Sequence, residues 1–111
     1  MSLTLKARQT GIVLASGGAD AVQPFEGNLY FAPEAVNLEL LRVTERTYTC
    51  PYKGVCYWID LDAPGALARN VAWVYRTPKP GYEFIRDQIG FYGRDTAAVT
   101  IEGALPGAAA V

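Results

Sequence analysis

The chain has 111 residues and a formal charge of -1, and it is 50% hydrophobic, 19% charged and 12% aromatic. That length holds one domain, and that apolar fraction builds a core, which excludes wholesale disorder. The chain has no histidine, so no Ser-His-Asp triad, Cys-His dyad or His-ligated metal site exists within it, and its near-neutral balance excludes the broadly basic surface of a nucleic-acid binder.

Residues 1–9 are read as an N-terminal arm, residues 10–103 as a single β domain and residues 104–111 as a featureless C-terminal tail. The first eight residues lack the apolar stretch of a secretory leader, and no run approaches the roughly 18–20 apolar residues of a membrane helix. The expectation is therefore a cytoplasmic protein without a membrane partner, its two cysteines free. Gly11 to Ala15 reads as a strand stopped by Gly17-Gly18, and residues 16–27 read as a loop. Asn28 to Phe31 is a second strand, and Pro33 to Val36 a single helical turn with proline in its first positions.

Leu38 to Val43 is the third strand, and Thr47 to Cys50 is β-prone up to Pro51. Val55 to Leu61 is the strongest strand. Val55, Tyr57, Ile59 and Leu61 share one face, Cys56, Trp58 and Asp60 the other, and both faces are apolar enough to be covered. Asp62-Ala63-Pro64-Gly65 is a turn into Val71 to Tyr75, making a hairpin. Tyr82 to Gln88 reads as a short helix and Ala97 to Ile101 as the last strand. The sum is a mainly β chain: one small antiparallel domain, a sandwich or partly open barrel, with one or two helical turns.

Chemistry concentrates in Cys50-Pro51-Tyr52-Lys53-Gly54. A lysine beside a cysteine in a turn favours the thiolate, so Cys50 and Lys53 are the candidate catalytic pair, set against the ordinary role of a small buried thiol. Cys50 and Cys56 would lie about 20 Å apart in an extended strand, too far for a disulfide, and only a tight turn at Pro51 to Gly54 brings them close. Two cysteines without histidine fall short of a zinc site, so no metal or cofactor is expected. Asp60 and Asp62 share a face near a strand end and read as turn markers before they read as a cation site. The aromatics crowd the second half of the chain. Lys53, Tyr57, Trp73, Tyr75 and Tyr92 are the candidate ligand-binding residues: charge from Lys53, hydrogen bonds from the tyrosines and a stacking wall from Trp73. The same rings also suit a plain hydrophobic core.

The order of Leu29-Tyr30-Phe31-Ala32-Pro33-Glu34-Ala35-Val36, then Cys50-Pro51-Tyr52-Lys53-Gly54, Asn70-Val71-Ala72-Trp73-Val74-Tyr75 and Ile89-Gly90-Phe91-Tyr92, resembles the bacterial family catalogued as domain of unknown function 427, over roughly residues 10–103. The resemblance implies an all-β domain of the Mss4-like, or β-tent, kind. It brings no assigned activity. Zinc-binding members of the wider fold use two cysteine knuckles, and this sequence has no second one. A loose nucleotidyltransferase-like label finds no paired carboxylates for two metals here. Where family members often carry a histidine before the cysteine, this chain has Arg46 nearby. The leading expectation is a binding module for a small polar or anionic ligand. The alternatives are an enzyme with Cys50 as nucleophile and a homodimeric interaction module with exposed strand edges.

Overall fold

A computed structural model of the chain describes residues 2–104, so most of the expected C-terminal tail lies outside the described residues. Nine strands follow in order: β1 (Leu3–Ala7), β2 (Val13–Gly17), β3 (Val22–Phe25), β4 (Asn28–Phe31), β5 (Leu41–Cys50), β6 (Gly54–Ala63), β7 (Ala66–Tyr75), β8 (Ile89–Tyr92) and β9 (Val99–Gly103). Helical structure among the described residues is confined to single 3-10 turns at Pro33–Ala35, Leu38–Leu40 and Glu83–Ile85. None is long and apolar enough to cross a membrane. The mainly β, antiparallel reading of the sequence is what the structure has.

The strands form two sheets, one in the order β2-β1-β9 and one in the order β3-β4-β8-β7-β6-β5. The smaller sheet lies over one face of the larger. Leu5, Leu14, Phe31, Ile59, Val74 and Phe91, each fully or almost fully buried, form the layer between them. Phe31 and Phe91 meet edge to face at 5.7 Å. The expected N-terminal arm is corrected here: residues 3–7 form β1, the middle strand of the smaller sheet, with Leu3, Leu5 and Ala7 alternating inward.

Turn chemistry fixes three hairpins. Pro64-Gly65 links β6 to β7, with Gly65 at φ +76° in the left-handed position that a proline-led turn asks for. Pro51 to Lys53 links β5 to β6 and ends on Gly54 at φ +106°. Glu26-Gly27 links β3 to β4 with both residues left-handed, at φ +54° and +79°, the pattern of a type I′ turn.

Asp60 and Asp62 part company in the structure: Asp62 is exposed, and Asp60 is buried in the middle of β6. Both neighbours of β6 bulge against it. On β5 the register jumps from Val43 opposite Ile59 to Thr47 opposite Tyr57, so residues 44–46 face Trp58 alone. On β7 it jumps from Ala72 opposite Ile59 to Ala68 opposite Leu61, with Asn70 at φ +56°. The Asp60 carboxylate ties the two bulges together. It accepts the Asn70 backbone N–H at 3.0 Å and pairs with the Arg46 guanidinium, which also donates to Asn70 Oδ1 at 2.9 Å. Burial pushes the Asp60 carboxyl up, but the Asn70 N–H, Arg46 and the more distant Arg42 outweigh it and hold its pKa below the ordinary value. Bulged β5 is one outer strand of the larger sheet, and β3, interrupted by Pro24, is the other. Both are devices that blunt an edge against strand-to-strand association.

Candidate functional site

The second face of the six-stranded sheet is built differently. Side chains in phase with Cys56 and Trp58 on β6 point away from the smaller sheet. The register sets Trp58 opposite Trp73 and Cys56 opposite Tyr75 on β7, and Tyr48 opposite Cys56 on β5. Beyond β7, Gly90 of β8 faces both Trp73 and Tyr30 of β4. A Cβ at Gly90 would lie 2.4 Å from Trp73 Nε1, so only glycine leaves room for the indole. The Trp73 N–H then donates to the Tyr30 hydroxyl at 3.1 Å. Edge-on rings surround Trp73: Tyr92 at 5.0 Å, Trp58 at 6.1 Å and Tyr30 at 6.2 Å. The segment after β7 folds back onto this face. It buries Ile85 completely and sets Phe84 edge-on to Phe25 at 5.0 Å.

A cavity of about 180 Å³ opens between these rings. Trp58, Trp73, Tyr48 and Tyr92 wall it. Asn28, Tyr30, Cys56, Tyr75 and Lys53 supply its polar groups. The structure thus brings four of the expected ligand-binding residues together: Lys53, Trp73, Tyr75 and Tyr92. Tyr57 does not join them. It is one residue out of phase with Cys56 and Trp58 and packs on the aliphatic core between the sheets. Asn28, Tyr30, Tyr48, Cys56 and Trp58 were not among the expected set. Strand phase was the signal for Cys56 and Trp58, once Trp58 is known to stand opposite Trp73. A larger cavity of about 230 Å³ lies by Gln9, Leu61, Ala66 to Ala68 and Ala97-Ala98. Gln9 is its one polar side chain, so it offers little to recognise a ligand with.

Lys53 is anchored from several sides. Its backbone N–H donates to Cys50 Sγ at 3.4 Å, and its carbonyl accepts the Lys79 N–H at 2.9 Å. Its ammonium pairs with the Glu26 carboxylate and stands 5.9 Å from the centre of the Phe25 ring. Burial pushes the lysine down, but the Glu26 hydrogen bond and neighbouring charges outweigh it, so Lys53 titrates above its ordinary value. Tyr30, Tyr75 and Cys56 are instead held toward their neutral forms. Burial raises Tyr30, against the Trp73 hydrogen bond, and raises Tyr75 strongly. Burial also raises Cys56, partly offset by the adjacent Tyr75 hydroxyl. At neutral pH the cavity therefore presents hydroxyl and thiol donors beside one ammonium.

Cys50 is buried on this face but does not line the cavity. The tight turn does bring it onto the same face as Cys56, and both remain free thiols. Burial pushes Cys50 up, but the N–H groups of Lys53 and Tyr52 and the Lys53 charge outweigh it, so its pKa falls below the ordinary thiol value. Among the described residues, no group of three or more His, Cys, Asp or Glu side chains is placed to hold a metal ion.

Comparison with solved structures finds similarity to the crystal structure of a Mis18 'Yippee-like' domain. The TM-score is 0.69 at 10% sequence identity, over 94% of this chain and 98% of that one. At that identity the likeness is one of fold. Comparison with curated proteins gives no match. The family described as domain of unknown function (DUF427) matches residues 6–102, nearly the whole β structure, and the chain belongs to that family.

Proposed function

We propose that this domain is a binding module for a small polar or anionic ligand seated in the outer-face cavity. One observation carries the reading. The anchored Lys53 ammonium and a set of hydroxyl donors converge with perpendicular aromatic walls on a single space. The size of that space, about 180 Å³, sets the scale of the ligand, since a cavity of about 150 Å³ accommodates benzene. A single planar ring bearing one polar or charged group fits. Ring faces stack on Trp58 or Trp73, and a carboxylate or carbonyl meets Lys53 or a tyrosine O–H. In this reading the protein works in the cytoplasm, where both thiols stay reduced.

Titration with benzoate, nicotinate and 4-hydroxybenzoate, followed by amide chemical-shift changes, tests the site. Binding that perturbs Trp58, Trp73 and Tyr92 and weakens roughly tenfold in Lys53→Ala is the expected result, about 1.4 kcal/mol for one charge-assisted contact. Unchanged affinity in Lys53→Ala would remove Lys53 from the site.

Cys50, held below its ordinary thiol value by the N–H groups of Lys53 and Tyr52 and then by the Lys53 charge, favours a second reading, an enzyme with Cys50 as nucleophile. The pH profile of alkylation separates the two. A Cys50 pKa at or above about 8.5 abolishes the enzyme reading.

A further inference from the structure

Resting on the binding reading above, we infer that Glu26 is an internal competitor for the ligand's anionic group: its carboxylate occupies the Lys53 ammonium in the empty site and is displaced when an anion binds. Three observations meet in this pair. The first is reach. Glu26 lies in the β3–β4 turn and Lys53 in the β5–β6 turn, and β4 and β6 are separated by β8 and β7. The register also sets these turns at opposite strand ends: Leu29, Phe91, Ala72 and Ile59 share one row, with Glu26 three residues from it in one direction and Lys53 six residues from it in the other. The ion pair therefore joins two hairpin ends across the curled outer face, the face on which the cavity opens.

The second observation is backbone conformation. Glu26 holds φ +54°, in a type I′ position where Asn, Asp or Gly is preferred. Gly27 packs closely against Gly93, just beyond the end of β8. A Cβ at Gly93 would lie 2.0 Å from the Gly27 carbonyl oxygen. A residue ill-suited to its turn, whose carboxylate pairs with a lysine that lines the cavity, points to a role for its side chain.

The third is asymmetry. The Lys53 side chain is 15% exposed, whereas that of Glu26 is 49% exposed. The lysine is fixed by its backbone and by Phe25, while the carboxylate swings into water at little cost. An ion pair so exposed on one side is worth little, so exchanging one carboxylate for another at a fixed ammonium costs the protein little. Glu26 also opposes any anion that approaches without displacing it. It thereby determines which ligand charge the site accepts.

The test compares wild type with Glu26→Gln and Glu26→Asn, using benzoate, nicotinate and 4-hydroxybenzoate beside their neutral amides. The asparagine variant suits the left-handed turn and guards against misfolding. Carboxylate affinity is expected to rise roughly fivefold in both variants, with amide affinity unchanged. Carboxylates that bind equally in the variants would overturn the inference, as would weaker binding, which would mean that Glu26 holds Lys53 in place; either outcome leaves the binding reading intact. If neither carboxylates nor amides bind wild type or variants, the binding reading fails and this inference falls with it.

Discussion

The two faces of the six-stranded sheet are both largely covered, yet they are made of different materials. The face toward β1, β2 and β9 is aliphatic, with Phe31 and Phe91 as its buried rings and no polar side-chain atom in the buried cluster. The opposite face buries Tyr30, Trp73, Tyr75, Cys50 and Cys56, each with a hydrogen-bonding or titratable atom. Aliphatic groups suffice to drive a sheet and its cover together. Polar atoms at the same depth require partners and add constraints that folding does not ask for. The contrast therefore sets residues that folding alone accounts for apart from residues whose polar atoms folding does not require.

Substitutions on the two faces should behave accordingly. Leu5→Ala, at a fully buried position of the inner layer, should cost about 3.5 kcal/mol in urea unfolding. It should leave the outer-face ring resonances of the folded protein unmoved. Widespread shifts on the outer face would show that the two layers are not independent. Asp60→Asn should come next, at about 2.5 kcal/mol. That is below the usual cost of breaking a buried pair, because Arg46 is a third exposed and reaches water. The sign of the pH effect follows from the lowered carboxyl pKa of Asp60 in the folded state. Its contribution is complete above the unfolded value of about 3.9 and is lost as pH falls through the lower native value. The wild-type thermal midpoint should thus drop steeply below about pH 4, and that of Asp60→Asn should drop less. Parallel acid limbs would refute the role of Asp60. Smallest in stability is Gly90→Ala, at about 2 kcal/mol of overpacking. It is the largest of the three for the site, because the methyl group displaces Trp73 from Tyr30 and should abolish ring binding while the inner layer stays intact.

Much of the fold was legible in the sequence for definite reasons. The phase of β6, the Pro64-Gly65 hairpin and the proline-led turn at Pro33 all carry strong local signals. The losses are equally physical. β1 alternates cleanly but runs only five residues at the start of the chain, so it reads as an arm. β3 contains a proline that only an outer strand tolerates, and β8 contains Gly90, which reads as a breaker until the Trp73 indole above it is seen. The expected helix over Tyr82 to Gln88 is a single 3-10 turn at Glu83–Ile85, ended by Asp87 at φ +60°. At the candidate site, residue types were readable and facing was not. The alternation of β6 separates Tyr57 from Trp58, but which of its two apolar faces is covered by the smaller sheet is settled by tertiary packing, and Asp60, which in the sequence reads as a turn marker, ties together the bulges on either side.

The chain has only two tryptophans, and both wall the same cavity, with ring centres 6.1 Å apart and planes at 81°. All of the protein's indole fluorescence consequently originates at this cavity, and the two transition dipoles are close enough to couple. An occupant that stacks on either ring would alter emission and the near-ultraviolet circular dichroism together, so the unlabelled protein carries its own optical reporter of occupancy.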